Sequence, residues 1–163
     1  MTFANNSVAP FYDGWNVYHQ HLVRAIAPLT ADQLELRAAP QLRSVYMIVT
    51  HIIGARARWT HHVLGLGDGT LLPYAVWDRP GQPTRSAVEL TQALQATWQV
   101  LEAGLGQWTA EDLAVELSDT DDDGTVETFT RQWVIWHLIE HDLHHGGELS
   151  FLLGMHSIPA IDL

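Results

Sequence analysis

Residues 133–154 read WVIWHLIEHDLHHGGELSFLLG, a stretch that holds four of the ten histidines of the chain. We predict a helix over residues 127–153 that ends at Gly154. At about 100° per residue, its polar groups collect on one face. When His141 is taken as the origin, the others lie within about 60° on either side of it; they are His137, His144, His145 and Glu148.

Apolar residues border this polar stripe along the helix, among them Trp133, Val134 and Leu152. We therefore expect the stripe to face the interior of the protein. Buried polar groups need partners, and several imidazoles close together repel one another when they are protonated. The stripe thus indicates either a bound metal ion or a set of core histidines that satisfy one another by hydrogen bonds.

Three further helices are predicted upstream. The first covers residues 6–27, where aromatic and aliphatic residues recur at steps of three and four; they are Phe11, Trp15, Tyr18, Leu22 and Ile26. The second covers residues 45–64 behind the N-cap residue Ser44, and the third covers residues 86–105 behind the capping-box pattern of Ser86 and Glu89. The sequence predicts an all-α fold, a four-helix bundle formed by residues 1–163 as a single domain.

A long connection, residues 67–83, joins the second and third predicted helices. Connections of this length are uncommon. Its apolar residues favour either a loop that covers the core or a contact with a second subunit, and we expect a homodimer; they are Leu71, Leu72, Tyr74, Val76 and Trp77. We also expect the large aromatic residues to be mostly buried; these are Trp15, Tyr18, Trp59, Trp98, Trp133 and Trp136.

Composition excludes several classes of function. The net charge is -11, from 19 acidic residues against 8 basic ones, all of them arginine, so we expect neither a nucleic acid nor a membrane surface as partner. The chain has no cysteine, which excludes disulfides, zinc–thiolate sites and a cysteine nucleophile. No apolar run is long enough to span a membrane, and the first residues do not resemble a signal peptide, so we expect a cytoplasmic protein.

An acidic segment, residues 119–127, matches the first half of an EF-hand loop. Its pattern is Asp119, Asp121 and Asp123 followed by Gly124, but Thr130 stands where the bidentate glutamate should be. We interpret the segment as an acidic turn that supplies carboxylates to the start of the last helix. Calcium binding stays open.

His141 and His145 have the i, i+4 spacing at which two imidazoles on one helix reach the same metal ion. A third ligand should come from another helix, and His51 is the best candidate because apolar residues surround it in the second predicted helix. His61 and His62, near the end of that helix, are expected to be solvated. The remaining histidines carry no strong signal; they are His19, His21 and His156.

Two stretches together resemble the DinB-like superfamily of bacterial four-helix bundles, which includes the YfiT-type thiol transferases. They are VTHIIGARARW, residues 49–59, and HLIEHDLHHGGELSFLLG, residues 137–154. The resemblance implies a divalent metal ion held by one side chain of the second helix and two of the fourth, here His51, His141 and His145. The usual acidic or amide residue after the last ligand matches Glu148. Relatives use low-molecular-weight thiols such as bacillithiol or mycothiol.

Three imidazoles leave a coordination position open for water or substrate, which is typical of catalytic rather than structural sites. Zinc and nickel both suit imidazole. Glu148 is a candidate ligand-orienting residue or general base, and the candidate substrate-binding residues are Arg58, His137 and His144. We expect a metal-dependent enzyme for small molecules, a low-molecular-weight-thiol S-transferase or a hydrolase. The alternatives are a non-catalytic metal-binding stress-response bundle and a purely structural helical domain.

Overall fold

The computed structural model describes residues 6–120 and 123–163. Its elements are five α-helices and two β-strands: α1 (Asp13–Ile26), α2 (Ala31–Leu34), α3 (Val45–Arg58), α4 (Ala87–Leu105), β1 (Glu116–Thr120), β2 (Val126–Thr130) and α5 (Arg131–Met155). A 3-10 turn, Ala9–Tyr12, precedes α1, and a π-helical turn, Trp59–Val63, extends α3. The protein is mostly helical, as predicted, but the described residues contain a small sheet and a fifth, four-residue helix. The predicted all-α class and count of four helices are therefore not confirmed.

Helices α3 and α4 begin where side-chain caps satisfy their first free amides. Ser44 Oγ accepts a hydrogen bond from the amide of Met47 at the start of α3. Ser86 and Glu89 form the predicted capping box at the start of α4. The polar Ser44 and Ser86 side chains thus fix the two helix starts that the sequence indicates.

The last helix starts later than predicted. Residues 126–130 are the extended strand β2, and Thr130 caps α5 by accepting a hydrogen bond from the amide of Trp133. The acidic segment is part of a β-hairpin in which Asp119 faces Glu127 across the strands. The first turn of α5 contains no acidic residue, so the predicted role of the segment at this helix start is wrong. Asp121, part of the calcium-like pattern, lies outside the described residues.

The helices pack α1 on α4, α4 on α3 and α3 on α5. One cluster of the core contains buried residues from all four of these helices, including Leu22, Ile52, Leu90 and Leu149. A second cluster surrounds Trp15 and Trp98, whose rings meet edge to face at a centroid distance of 5.1 Å. None of the described helices is both long and apolar enough to cross a membrane.

The long connection covers the core. Successive turns run through it, Leu71 is fully buried, and Tyr74 and Trp77 pack on the core. Leu72 and Val76 are exposed. Of the two predicted alternatives, covering the core is therefore the one that the structure supports for Leu71, Tyr74 and Trp77.

Burial of the aromatic residues follows the prediction only in part. Trp15, Tyr18 and Trp98 are buried and Trp59 is half-buried, but Trp133 and Trp136 are 43% and 58% exposed. The reason is the register of α5, which buries the adjacent apolar residues Val134, Ile135 and Leu138 instead. Phe11 is also exposed, because it lies in the 3-10 turn before α1 and does not continue the buried face of that helix.

Candidate metal centre

Three imidazoles from two helices converge. His51 lies on α3, and His141 and His145 lie one turn apart on α5. Each residue offers one ring nitrogen to the cluster, and these three nitrogens all lie within 4.8 Å of one another. Nε2 of His51 lies 3.2 Å from Nε2 of His141. The i, i+4 spacing on α5 and the packing of α3 on α5 together bring these three side chains to one point.

A loop carboxylate orients the first imidazole. His51 Nδ1 donates to Asp78 Oδ2 at 3.0 Å, which leaves Nε2 facing the other two rings. Arg58 donates to both oxygens of the same carboxylate, at 2.7 and 2.9 Å. Burial raises the pKa of Asp78, but the hydrogen bonds from Arg58 and His51 outweigh it and lower that pKa to about 2. Asp78 is therefore a permanent anion behind His51, an arrangement typical of metal-binding histidines.

Glu148 has the same relation to the third imidazole. His145 Nδ1 and Glu148 Oε2 are 2.5 Å apart, which leaves Nε2 of His145 free. Burial lowers the pKa of His145, although the Glu148 carboxylate opposes that shift. The contact favours the orienting role among the two roles considered for Glu148.

His141 contacts both other rings, at centroid distances of 4.9 Å to His51 and 4.4 Å to His145, and it differs from them in its hydrogen bonding. Burial, together with the neighbouring rings of His145 and His51, lowers its pKa to about 3, so the imidazole is neutral at physiological pH. Its Nδ1 is buried and has no hydrogen-bond partner among the described residues. Neutral imidazole is the form that ligates metals.

The residues present fit a divalent metal ion. Two nitrogens bound tetrahedrally at 2.0–2.1 Å are about 3.3 Å apart, close to the 3.2 Å between the Nε2 atoms of His51 and His141. Two of the three rings have a carboxylate on the far nitrogen, as ligating histidines usually do. An all-imidazole set of donors suits zinc, nickel and similar ions.

A buried ion pair joins the two helices beside this cluster. Arg56 on α3 and Asp142 on α5 are both fully buried, and Arg56 Nη2 donates to Asp142 Oδ2 at 2.7 Å. Trp15 Nε1 donates to the same oxygen at 2.6 Å, and Nη1 of Arg56 lies 3.1 Å from Nδ1 of buried His19. Sequence reasoning missed this network and Asp78. The available signal was one charged residue, Arg56, within an otherwise apolar helix face.

Two further predicted site residues, Arg58 and His137, lie at the margin of the imidazole cluster. Arg58 is engaged by Asp78 and by the carbonyl of Ala75, so its predicted role in meeting an anionic substrate lacks a free guanidinium. His137 stacks on Trp133, with parallel rings 5.2 Å apart, and its ring lies 6.2 Å from that of His141.

His144 is exposed, so the polar stripe does not face the interior along its whole width. It approaches His145 and Glu148 closely enough for these three to form a second potential metal-binding group.

Other histidines lie apart from the cluster. His62 is exposed as expected, whereas His61 is half-buried with Nδ1 3.2 Å from the carbonyl of Leu66. His19 contacts Arg56, and the ring of His21 contacts Arg24. His156 contacts the carbonyl of Arg37. None of these five belongs to the potential metal-binding groups found among the described residues.

Solvent reaches the cluster beside His51, whose side chain is 27% exposed. An open groove of about 350 Å³ lies there between α3 and the long connection. A second opening, of about 410 Å³, is lined by Arg58, Trp59 and residues of β1. A small molecule therefore has room to approach His51 from outside, whereas His141 and His145 line neither opening.

Comparison with known proteins identifies the family of this chain and two solved structures with a similar fold. The model of the DinB family matches residues 3–155. A DinB-like protein from Bacillus cereus ATCC 10987 superposes with a TM-score of 0.74 at 20% identity, over 98% of this chain and 99% of that one. A DinB-like protein from Bacillus subtilis gives a TM-score of 0.61 at 21% identity, over 98% and 96%. At these identities the likeness concerns the fold alone. The search of curated proteins found no match.

Proposed function

This chain belongs to the DinB family, and from that premise we propose that it is a metal-dependent enzyme acting on a small molecule. His51, His141 and His145 hold the divalent ion, zinc or nickel. The observation that carries the proposal is the convergence of three imidazoles, two of them backed by carboxylates, beside an opening to solvent.

The bound metal would lower the pKa of a nucleophile, either an external thiol or water. The first case gives a low-molecular-weight-thiol S-transferase and the second a hydrolase; both need the same three imidazoles. The chain has no cysteine, so a thiol nucleophile would have to be a co-substrate.

The side chains of this chain have defined tasks in either reaction. Asp78 and Glu148 accept hydrogen bonds from Nδ1 of His51 and His145, which orients the two rings so that their Nε2 atoms are directed at one point. Burial keeps His141 neutral, which favours ligation over protonation. His137 stacks on Trp133 and contacts the tilted ring of Trp59, and these three rings form an aromatic surface that a substrate would contact.

The alternative is a metal-binding bundle without catalysis. It would need the same imidazoles but no access for substrate. The 27% exposure of His51 and the groove beside it favour the enzyme.

Metal content is the first test. The protein, purified without an affinity tag, should carry about one divalent ion per chain by elemental mass spectrometry. His141→Ala should abolish this content, whereas the matched control His156→Ala should retain it, because His156 lies outside the cluster. Equal metal content in both variants would overturn the proposal.

Turnover is the second test. The metal-loaded protein is assayed with monochlorobimane and a panel of small thiols, and then with simple esters and amides. Activity that is present in His156→Ala and absent in His141→Ala supports the enzyme. Stoichiometric metal without turnover of any class would favour the non-catalytic alternative.

We also propose that residues 1–163 form a single domain and that two copies form a homodimer. With Tyr74 and Trp77 packed on their own core, the exposed apolar surface available for a dimer includes Trp136, Leu143 and Phe151 of α5. Sedimentation equilibrium of wild type and Trp136→Glu tests this: the variant should be monomeric if this surface pairs.

A further inference from the structure

The groove beside His51 also contains basic side chains. Its lining includes two arginines, Arg43 and Arg79, together with His51 and Asp78. We propose that this groove binds an acidic group, a carboxylate or a phosphate, of the substrate. The proposal rests on the proposed function, because it names the class of molecule that the metal centre would act on.

The local charge of the groove is positive although the chain carries a net charge of -11. Arg43 is exposed and forms no hydrogen bond or ion pair with any of the described residues. Arg79 approaches Asp78 only to 3.9 Å and is 61% exposed. Asp78 is the single carboxylate in the lining, and bidentate hydrogen bonds from Arg58 already neutralise its charge. Two guanidinium groups therefore remain available to an incoming anion.

Two aromatic residues of the groove lining, Trp77 and Tyr46, are held in place. Trp77 packs on the core, and the guanidinium of Arg85 lies 4.7 Å from its ring centre. The hydroxyl of Tyr46 donates to the carbonyl of Pro83 at 3.3 Å. The volume of about 350 Å³ lies near the lower end of ligand pockets, which span about 300–1,000 Å³. The groove thus suits a small acid with a short apolar body.

The second opening offers no comparable binding site for an anion. Its lining contains the Asp119 carboxylate, and its one arginine is Arg58, which is already paired with Asp78. An acidic substrate entering there would meet a like charge. The distribution of charge therefore assigns the acidic end to the Arg43 and Arg79 side of the cluster.

The test measures binding without requiring turnover or metal. Metal-free, isotope-labelled protein is titrated with 3-phenylpropionate, with its neutral amide and with phenylphosphonate, followed by protein NMR. The acids should shift the backbone signals of groove residues such as Met47 and Gln82, and the amide should bind more weakly. Whichever of the two acids binds more tightly identifies the preferred group, carboxylate or phosphate.

Variants locate the binding. An exposed ion pair contributes up to about 1 kcal/mol, so Arg43→Gln and Arg79→Gln should each weaken acid binding by about two- to fivefold. The matched control Arg24→Gln, which removes an exposed charge elsewhere, should leave it unchanged. Equal binding of acid and amide, or equal loss in all three variants, would overturn the inference.

Cobalt(II) absorption, measured on the same proteins, separates this inference from the proposed function. Cobalt bound without a preference for acids would overturn the acid-binding groove alone. Acid binding that depends on both arginines, in a protein that takes up no cobalt, would overturn the metal-dependent function and support the groove.

Discussion

Removing one partner of the buried Arg56–Asp142 pair should destabilise the protein strongly. Both side chains are fully buried, and Arg56 directs three hydrogen bonds of 2.7–3.0 Å to the Asp142 carboxylate. Asp142→Asn leaves the shape of the side chain but removes its charge, so the guanidinium of Arg56 remains buried without a counter-ion. Breaking a buried pair in this way costs about 3–5 kcal/mol.

The cost should be smaller when both charges are removed together. In Arg56→Met with Asp142→Leu, no unpaired charge remains. Two contacts are lost: Trp15 Nε1 loses its acceptor on Asp142, at 2.6 Å, and Nδ1 of His19 loses Arg56 Nη1, at 3.1 Å. An unsatisfied buried donor costs about 1–3 kcal/mol. The double variant should therefore be more stable than either single variant, which is a strong departure from additivity.

Urea unfolding at pH 7 in the presence of a chelator measures these differences without a contribution from bound metal. The variants are Arg56→Met, Asp142→Leu, their combination and Asp142→Asn. Arg24→Met, an exposed arginine on α1, is the control and should change the free energy of unfolding by less than about 0.5 kcal/mol. Single variants that cost under about 1 kcal/mol, or a double variant that equals the sum of the singles, would refute the reasoning.

Three further predictions concern other contacts. Glu148→Gln should weaken metal binding about 10- to 100-fold in a competition titration, because its carboxylate orients a ligand imidazole. Gly146→Ala should cost about 1–3 kcal/mol in urea unfolding, because the added methyl would collide with the Tyr18 ring, whereas Gly147→Ala, with open space around it, should stabilise slightly. Burial and the adjacent guanidinium of Arg56 lower the pKa of His19 to about 3. Because the imidazole of the unfolded chain takes up a proton below about pH 6.5, the free energy of unfolding should fall on acidification, by about 3 kcal/mol at pH 4.5. The free energy of unfolding of His19→Gln should fall less over the same range.

The helical framework follows from local sequence signals. The N-cap Ser44 and the capping box at Ser86 act within one turn of chain, so the starts of α3 and α4 can be predicted from residues a few positions apart. The hairpin of β1 and β2 was not predicted, because each strand has five residues and the two together contain only three apolar ones, Leu117, Val126 and Phe129. Their pairing depends on contacts between residues up to 14 positions apart, such as Glu116 with Thr130.

The relative position of two of the three imidazoles also follows from local sequence. His141 and His145 share a helix face by spacing alone, so the sequence by itself determined that they approach each other. The position of His51 against them depends on how α3 packs on α5, and the sequence offered only its apolar surroundings and the family resemblance as guides.

Tertiary structure alone decided which charges are buried, paired or free. Asp78 lies in a connection whose path is set by the burial of Leu71 and Ala75, so nothing near it in sequence identifies His51 and Arg58 as its partners. Likewise, Arg56 meets Asp142 across 86 positions of chain. Periodicity fixes which side chains share one helix face, but the energy of a charge depends on its solvent and its counter-ion, and both are set only when the helices pack.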